Sequence, residues 1–305
     1  MLFHLVLVAS APQLPKSIVN AVTLILEENG YTPTRQTWLS QDKALEITLD
    51  DTPNAQTHEK LLAILHHAKI DHFLVPDAGR RKRLLVADMD STIAAEETLD
   101  EIARACGVGD QVAEITKRSM RGEVDFNTSL RNRVALLAGQ PAQTLASVRA
   151  MMKLNEGAKT FVKTMAAHGA KCVLISGGFT YFTSFVAEIC GFHHDHGNVL
   201  EMKNGRITGF LEEPILGPQS KADLLREYCT KYKIQESDAL AIGDGANDKN
   251  MLTMAGMGIG YYPKDVLRPV TPHHITFTDL KTALYIQGYR DDEIYVEQPL
   301  GFEDD

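Results

Sequence analysis

Cysteine is scarce in this chain and never clustered. Cys106, Cys172, Cys190 and Cys229 are the only four, and none lies in a C-x-x-C pair. That excludes a disulfide framework and a thiolate zinc ribbon. With Cys172 in a strand-like run and Cys190 closing a helical one, it fits buried free thiols in a reducing cytoplasm. No apolar run approaches the ~18 residues of a membrane span. Basic charge is short as well: 31 Lys and Arg stand against 40 Asp and Glu, a net charge of −9. A nucleic-acid backbone wants a basic face, so that partner is set aside, but one local cluster can still bind a small anion. No G-x-x-x-x-G-K-[ST] stretch occurs, which removes a P-loop. Internal repeats and low-complexity segments are also lacking. What remains, 44% apolar and 23% charged residues, is the composition of a soluble globular protein. At 305 residues it is long enough for two domains, or for one with a large insertion.

The start, "MLFHLVLVASAP", imitates a signal peptide but has no Lys or Arg ahead of its short apolar run, so it is read as a first β-strand. Residues 1–78 then continue as a small α+β unit. "PKSIVNAVTLILEENG" is a helix with Ile18, Val22, Ile25 and Leu26 on one face and Gly30 as its stop. "TRQTWL" and "ALEITL" are a strand pair, "QTHEKLLAILHHA" a second helix and "DHFLVP" a last strand. The order βαββαβ predicts a ferredoxin-like sandwich. The basic "DAGRRKR" is read as a solvated linker, centred on 79–83.

From Leu84 strands alternate with helices, the pattern of an α/β fold with a Rossmann-like parallel sheet. Residues 84–290 form this larger unit. "LLVA" (84–87), "CVLI" (172–175) and "LAI" (240–242) are its short apolar strands. A long helical stretch, about 92–153, intervenes between the first two and predicts a helical cap inserted after the first strand. "DDEIYVEQPLGFEDD" (291–305) is an acidic tail, open to being mobile or a partner contact.

In an open parallel sheet, ligands sit beyond the carboxyl ends of the strands. The first strand delivers Asp88 and Asp90, whose carboxylates share one side of an extended chain. The second delivers Ser176, Gly177 and Gly178 ahead of a helix, a candidate anion cradle. The third delivers Asp244, Asn247 and Asp248 in "GDGANDKN". Like charges at ~4 Å and an effective dielectric of ~20 cost about 4 kcal/mol per pair. Converging acids therefore call for a divalent cation, and all-oxygen ligands favour Mg²⁺. Lys221, opening the helix before the last motif, offers a further positive charge.

"DMDST", "SGG", the isolated Lys221 and "GDGAND" resemble, in order and spacing, the four motifs of the haloacid dehalogenase phosphatases. Within that family, "DMDSTIAAEETLDEIA", "RGEVDFNTSLRNRVALL", "LISGGF" and "IGDGANDKNML" are similar to members that act on O-phosphoserine. The resemblance spans about 84–285, with Met89 standing where Phe is frequent. It implies that Asp88 is the nucleophile and becomes an aspartyl-phosphate. Asp90 would be the acid and then the base. One Mg²⁺ would be held by Asp88, Asp244 and the Asp90 position, with Asp248 in support. Ser176, the Gly177 amide and Lys221 would hold the phosphoryl oxygens, with Gly178 beside them, and Asn247 would orient the phosphate or the lysine. Glu97 would meet the substrate ammonium and Arg133 its carboxylate, while Met120 and Phe126 close the cap. Relatives often carry an amino-acid-binding (ACT-like) unit at the N-terminus, which here could sense an amino acid or mediate a homodimer. The implied activity is hydrolysis of phosphoserine in a cytoplasmic serine synthesis, with transfer to homoserine or another small alcohol, or hydrolysis of another small phosphomonoester, as the alternative. A regulatory binding protein that keeps the phosphatase body as scaffold is the rival of another class.

Two further signals are set aside. "CGFHHDHGN", with Cys190, His193, His194 and His196, is read as an exposed loop rather than a zinc site. "GMGIG" (256–260) is read as a strand, since a dinucleotide turn must follow a strand and open a helix.

Overall fold

The alternation in "FHLVLVA" is realised as β1 (Phe3–Ala9), and both of its faces are buried. The computed structural model describes residues 2–297, apart from Gly122 and the side chain of Met120. After β1 come α1 (Lys16–Glu28), β2 (Arg35–Ser40), β3 (Ala44–Leu49), α2 (Ala55–His67) and β4 (Ile70–Pro76). Asn54 caps α2, its side chain accepting the Thr57 N–H at 2.9 Å. The strands form an antiparallel sheet in the order β2-β3-β1-β4, the ferredoxin-like order. Leu5 and Leu7 of β1 pack with Val22, Leu26, Leu61 and Leu65 of the two helices.

The opposite face carries Val6, Val8, Phe73 and Val75, and these belong to the core of the larger unit. Each such side chain removed from water contributes about 1.5–3 kcal/mol. The small unit is therefore packed on the large one through a whole sheet face. Asp71 reinforces the seam. Its carboxylate accepts the N–H groups of Thr276, Phe277 and Thr278 and the Thr278 hydroxyl, the last at 2.6 Å.

The solvated-linker reading needs a correction at two of its four basic residues, since Arg81 and Arg83 are exposed but Arg80 and Lys82 are not. Arg80 is buried, donating to the carbonyls of Ile286 and Tyr285 and pairing with Glu46. Lys82 is buried too, its Nζ on the carbonyls of Gly79 and Ser237. Long cationic side chains laid across a seam satisfy carbonyls that would otherwise lose their water.

The larger unit is built on β5 (Leu84–Ala87). The chain then passes through α3 (Thr98–Ala105), α4 (Gly109–Met120), α5 (Phe126–Ala135) and α6 (Gln143–Met151), which are the cap helices. It returns by α7 (Ala158–Ala167) to β6 (Lys171–Phe179), α8 (Thr180–Cys190) and β7 (His194–Asn198). A hairpin, β8 (Leu200–Lys203) and β9 (Arg206–Leu211), packs against α5. Then follow α9 (Pro218–Tyr232), β10 (Ala239–Gly243), α10 (Lys249–Met254), β11 (Met257–Tyr261), β12 (His273–Ile275) and α11 (Thr282–Ile286). Six strands form a parallel sheet in the order β12-β11-β10-β5-β6-β7. All four residues of β5 are fully buried, as expected for a central parallel strand covered on both faces.

"HDHGN" is not a loop but the edge strand β7. Its histidines are engaged with α9: His194 Nε2 lies 2.5 Å from the Tyr232 hydroxyl and His196 Nε2 2.7 Å from that of Tyr228. Polar edge strands carry no apolar alternation, which hides them from pattern reading. The first part of the acidic tail is tied down, with Glu293 paired to Arg81 at 2.7 Å. Residues 298–305 of that tail lie outside the described residues.

Candidate active site

Every strand of the larger sheet points its carboxyl end at the same edge, and four polypeptide segments meet there. Asp88 follows β5 and is 3% exposed. Its Oδ1 accepts the Met89 N–H at 2.8 Å and Lys221 Nζ at 2.6 Å. Lys221, from the first turn of α9, donates equally to Asp248 Oδ1 at 2.6 Å. Asp248 in turn binds the chain that carries Asp244, its Oδ2 accepting the N–H groups of Asp244 and Gly245 at 3.1 and 3.0 Å. A Cβ at Gly243 would stand 2.4 Å from the Asp248 carboxyl carbon, so only glycine lets this turn close. Asn247 is half-buried in the same turn.

Asp88, Asp244 and Asp248 each present an oxygen within 4.8 Å of the other two, and all three are buried. Burial and the Asp248 charge push the Asp88 carboxyl well up, and Lys221 opposes them. Burial lifts Asp244 to about 6 despite the Lys264 ammonium 2.9 Å away. Lys221 is held up by its two carboxylates against the opposing effect of burial. Three aspartates, together with Glu97, which shares Lys264, face two lysines, and a divalent cation would offset the excess of negative charge. Buried oxygen donors so close together suit Mg²⁺ rather than zinc.

Asp90 departs from the period-two expectation. The strand ends at Ala87 and the chain leaves the extended conformation at Met89, so the Asp90 carboxylate lies outside the three-acid group. Its Oδ1 accepts both the N–H and the hydroxyl of Thr98, at 2.8 and 2.7 Å, and its Oδ2 accepts the Ser176 hydroxyl at 2.6 Å. Burial and Glu97 raise its pKa, and these hydrogen bonds oppose the rise. The Gly177–Gly178 segment is extended rather than a helix-opening turn. It bulges out of the ladder between Ile175 and Phe179, and the Gly178 N–H is taken by Ser176 Oγ at 2.7 Å. A Cβ at Gly178 would press on Asp90 Oδ2 at 3.0 Å.

The cap reaches this edge. Phe126 lies over Gly177, its ring tip 3.1 Å from where a Cβ would be. Arg133 is half-buried on α5, and burial lowers its pKa against Asp100, Glu97 and Asp90. Glu97 is exposed at the mouth, accepting from Ser91 Oγ at 3.0 Å. The Met120 side chain lies outside the described residues. Sequence reasoning missed two members, Thr98 and Lys264. Thr98 had a signal, a hydroxyl residue opening the helix after D-x-D. Lys264 had none, being a lone lysine after an apolar strand.

These features define a class. The family model described as haloacid dehalogenase-like hydrolase matches residues 85–253. The chain belongs to that family of hydrolases. Among its relatives, a phosphoserine phosphatase of Archaeoglobus fulgidus is 38% identical over 236 residues, 77% of this chain and 69% of the relative. One from Saccharomyces cerevisiae is 31% identical, covering 97% of this chain and 99% of its own length. Among solved structures, a haloacid dehalogenase family hydrolase from Salmonella enterica serovar Typhi superposes with a TM-score of 0.85 at 27% identity. It covers 95% of this chain and 99% of its own.

Proposed function

We propose that the protein hydrolyses O-phospho-L-serine to serine and phosphate, closing a cytoplasmic serine synthesis, with Mg²⁺ as its cofactor. The observation that carries this is the buried Asp88–Lys221–Asp248 bridge beside Asp244, at the edge where Arg133 and Glu97 also arrive. Relatives named for phosphoserine support the substrate, since the site offers one partner for each of its charges.

Asp88 attacks phosphorus in line with the seryl oxygen. The P–O bond to serine breaks, and Asp90 gives its proton to the leaving oxygen. The raised pKa of Asp90 suits a carboxyl that must still hold a proton when substrate binds. Asp90 then takes a proton from water, and the hydroxide attacks phosphorus, releasing phosphate and restoring Asp88. Lys221, Ser176 and the Gly177 amide meet the phosphoryl oxygens as charge spreads over them. A magnesium ion held by Asp88, Asp244 and the Asp90 position, with Asp248 behind them, would supply further positive charge there. Asn247 orients the phosphate or Lys221, and Phe126 with the rest of the cap excludes water. Among the described residues no helix is long and apolar enough to cross a membrane.

Arg133→Ala tests the substrate. It raises KM for phosphoserine at least tenfold more than KM for p-nitrophenyl phosphate, which has no carboxylate to meet. Equal effects on both, or transfer of phosphate to added homoserine in place of its release, would remove the assignment.

A further inference from the structure

The acidic centre holds two lysines of opposite character. Lys221 is 1% exposed, wedged between two buried carboxylates, and has nowhere to go. Lys264 comes from the other side, on the segment after β11. Its main-chain N–H is fixed to the Asp244 carbonyl at 2.9 Å, which sets where the side chain begins. The side chain itself is 46% exposed and spans two acids, with Nζ 2.9 Å from Asp244 Oδ2 and 3.5 Å from Glu97 Oε1. Among the described residues, Lys264 is the only cationic partner of the Asp244 carboxylate.

Asp244 is also the carboxylate assigned above to the magnesium ion, so the inference rests on that reading. An ammonium and a divalent ion against one buried carboxylate repel each other, and the half-exposed, flexible lysine is the one that can move. We propose that Lys264 is an exchangeable counter-ion of the site. It neutralises Asp244 and Glu97 while no divalent ion is bound, and it yields Asp244 when one arrives. By linkage, the same side chain stabilises the metal-free protein and weakens metal binding.

Mn²⁺ binding to the full chain, followed by electron paramagnetic resonance of the free ion, tests this without reference to turnover. Lys264→Met binds Mn²⁺ about three- to fivefold more tightly than the parent, and Lys264→Arg stays within about twofold, as expected for loss and retention of a partly exposed ion pair. In EDTA the Met variant melts below the parent, and at saturating Mn²⁺ the gap closes or reverses. Should Lys264→Met not fold, Lys264→Gln carries the same expectation. Unchanged or weaker Mn²⁺ affinity in the uncharged variant would overturn the proposal, since a side chain that merely orients Asp244 gives that result. A parent protein that binds no Mn²⁺ at millimolar concentration would instead overturn the metal reading on which it rests.

Discussion

Asp71 and Asp88 are buried to the same degree, each 3% exposed, in the two larger sheets of one molecule. Asp71 lies on the antiparallel sheet and spends its oxygens on three backbone N–H groups and a hydroxyl across the seam. Asp88 lies at the end of a parallel strand, facing other carboxylates and a buried lysine. The difference follows from topology. In an antiparallel sheet successive strands end at opposite edges, so their terminal side chains are dispersed. In a parallel sheet every strand ends at the same edge, and residues remote in sequence accumulate there. Burial alone thus marks nothing; burial among like charges marks a site.

The comparison breaks most visibly at Lys221. Lys221→Met leaves Asp88 and Asp248 without their shared cation. Phosphatase activity falls by at least about a thousandfold, and stability by about 3–5 kcal/mol, as when one partner of a buried pair is removed. Urea unfolding and steady-state rates check both. A stable, active variant would mean that the acids are not held as charges.

A smaller effect comes from two neutral histidines, His72 in β4 and His273 in β12, both pushed down to about 4 by burial. Between pH 6.5 and 4 the unfolded chain takes up protons that the folded one refuses. Their contribution is therefore intact above pH 6.5 and is lost as pH falls toward 4. It amounts to roughly 2–4 kcal/mol in all between pH 7 and 5. Unfolding midpoints at the two pH values measure it, and a His72→Leu, His273→Leu double variant loses that part of the slope.

The smallest effect belongs to Asp71→Asn, which turns an acceptor oxygen into a donor facing N–H groups. It costs about 1–2 kcal/mol and leaves kcat at saturating substrate within about twofold. A large fall in kcat with folding intact would mean that the seam and the site are not separable in the way the two sheets suggest.

Much of this was legible in the sequence because apolar runs and strand-end polar residues are adjacent in it. β5 begins and ends where "LLVA" does, and βαββαβ gave the small sheet its order. The segments bearing Asp88, Ser176 and Asp244 could be gathered from one topological rule, and Lys221 from the charge they need. What stayed hidden depends on local turns and on surfaces that meet only after folding. The position of the Asp90 carboxylate depends on the chain leaving the extended conformation at Met89. Arg80 looks like a solvated charge until the seam closes over it. β7 lacks apolar alternation, β8 is only four residues long, and Lys264 has no motif around it.

The central claim is that Asp88 accepts the phosphoryl group, and a crystal structure of the protein soaked with beryllium fluoride and Mg²⁺ tests it most directly. The adduct should be bonded to an Asp88 carboxylate oxygen, with fluorines on Lys221 and the Ser176–Gly177 segment. An adduct on any other residue, or none while phosphate release persists in Asp88→Asn, would contradict it.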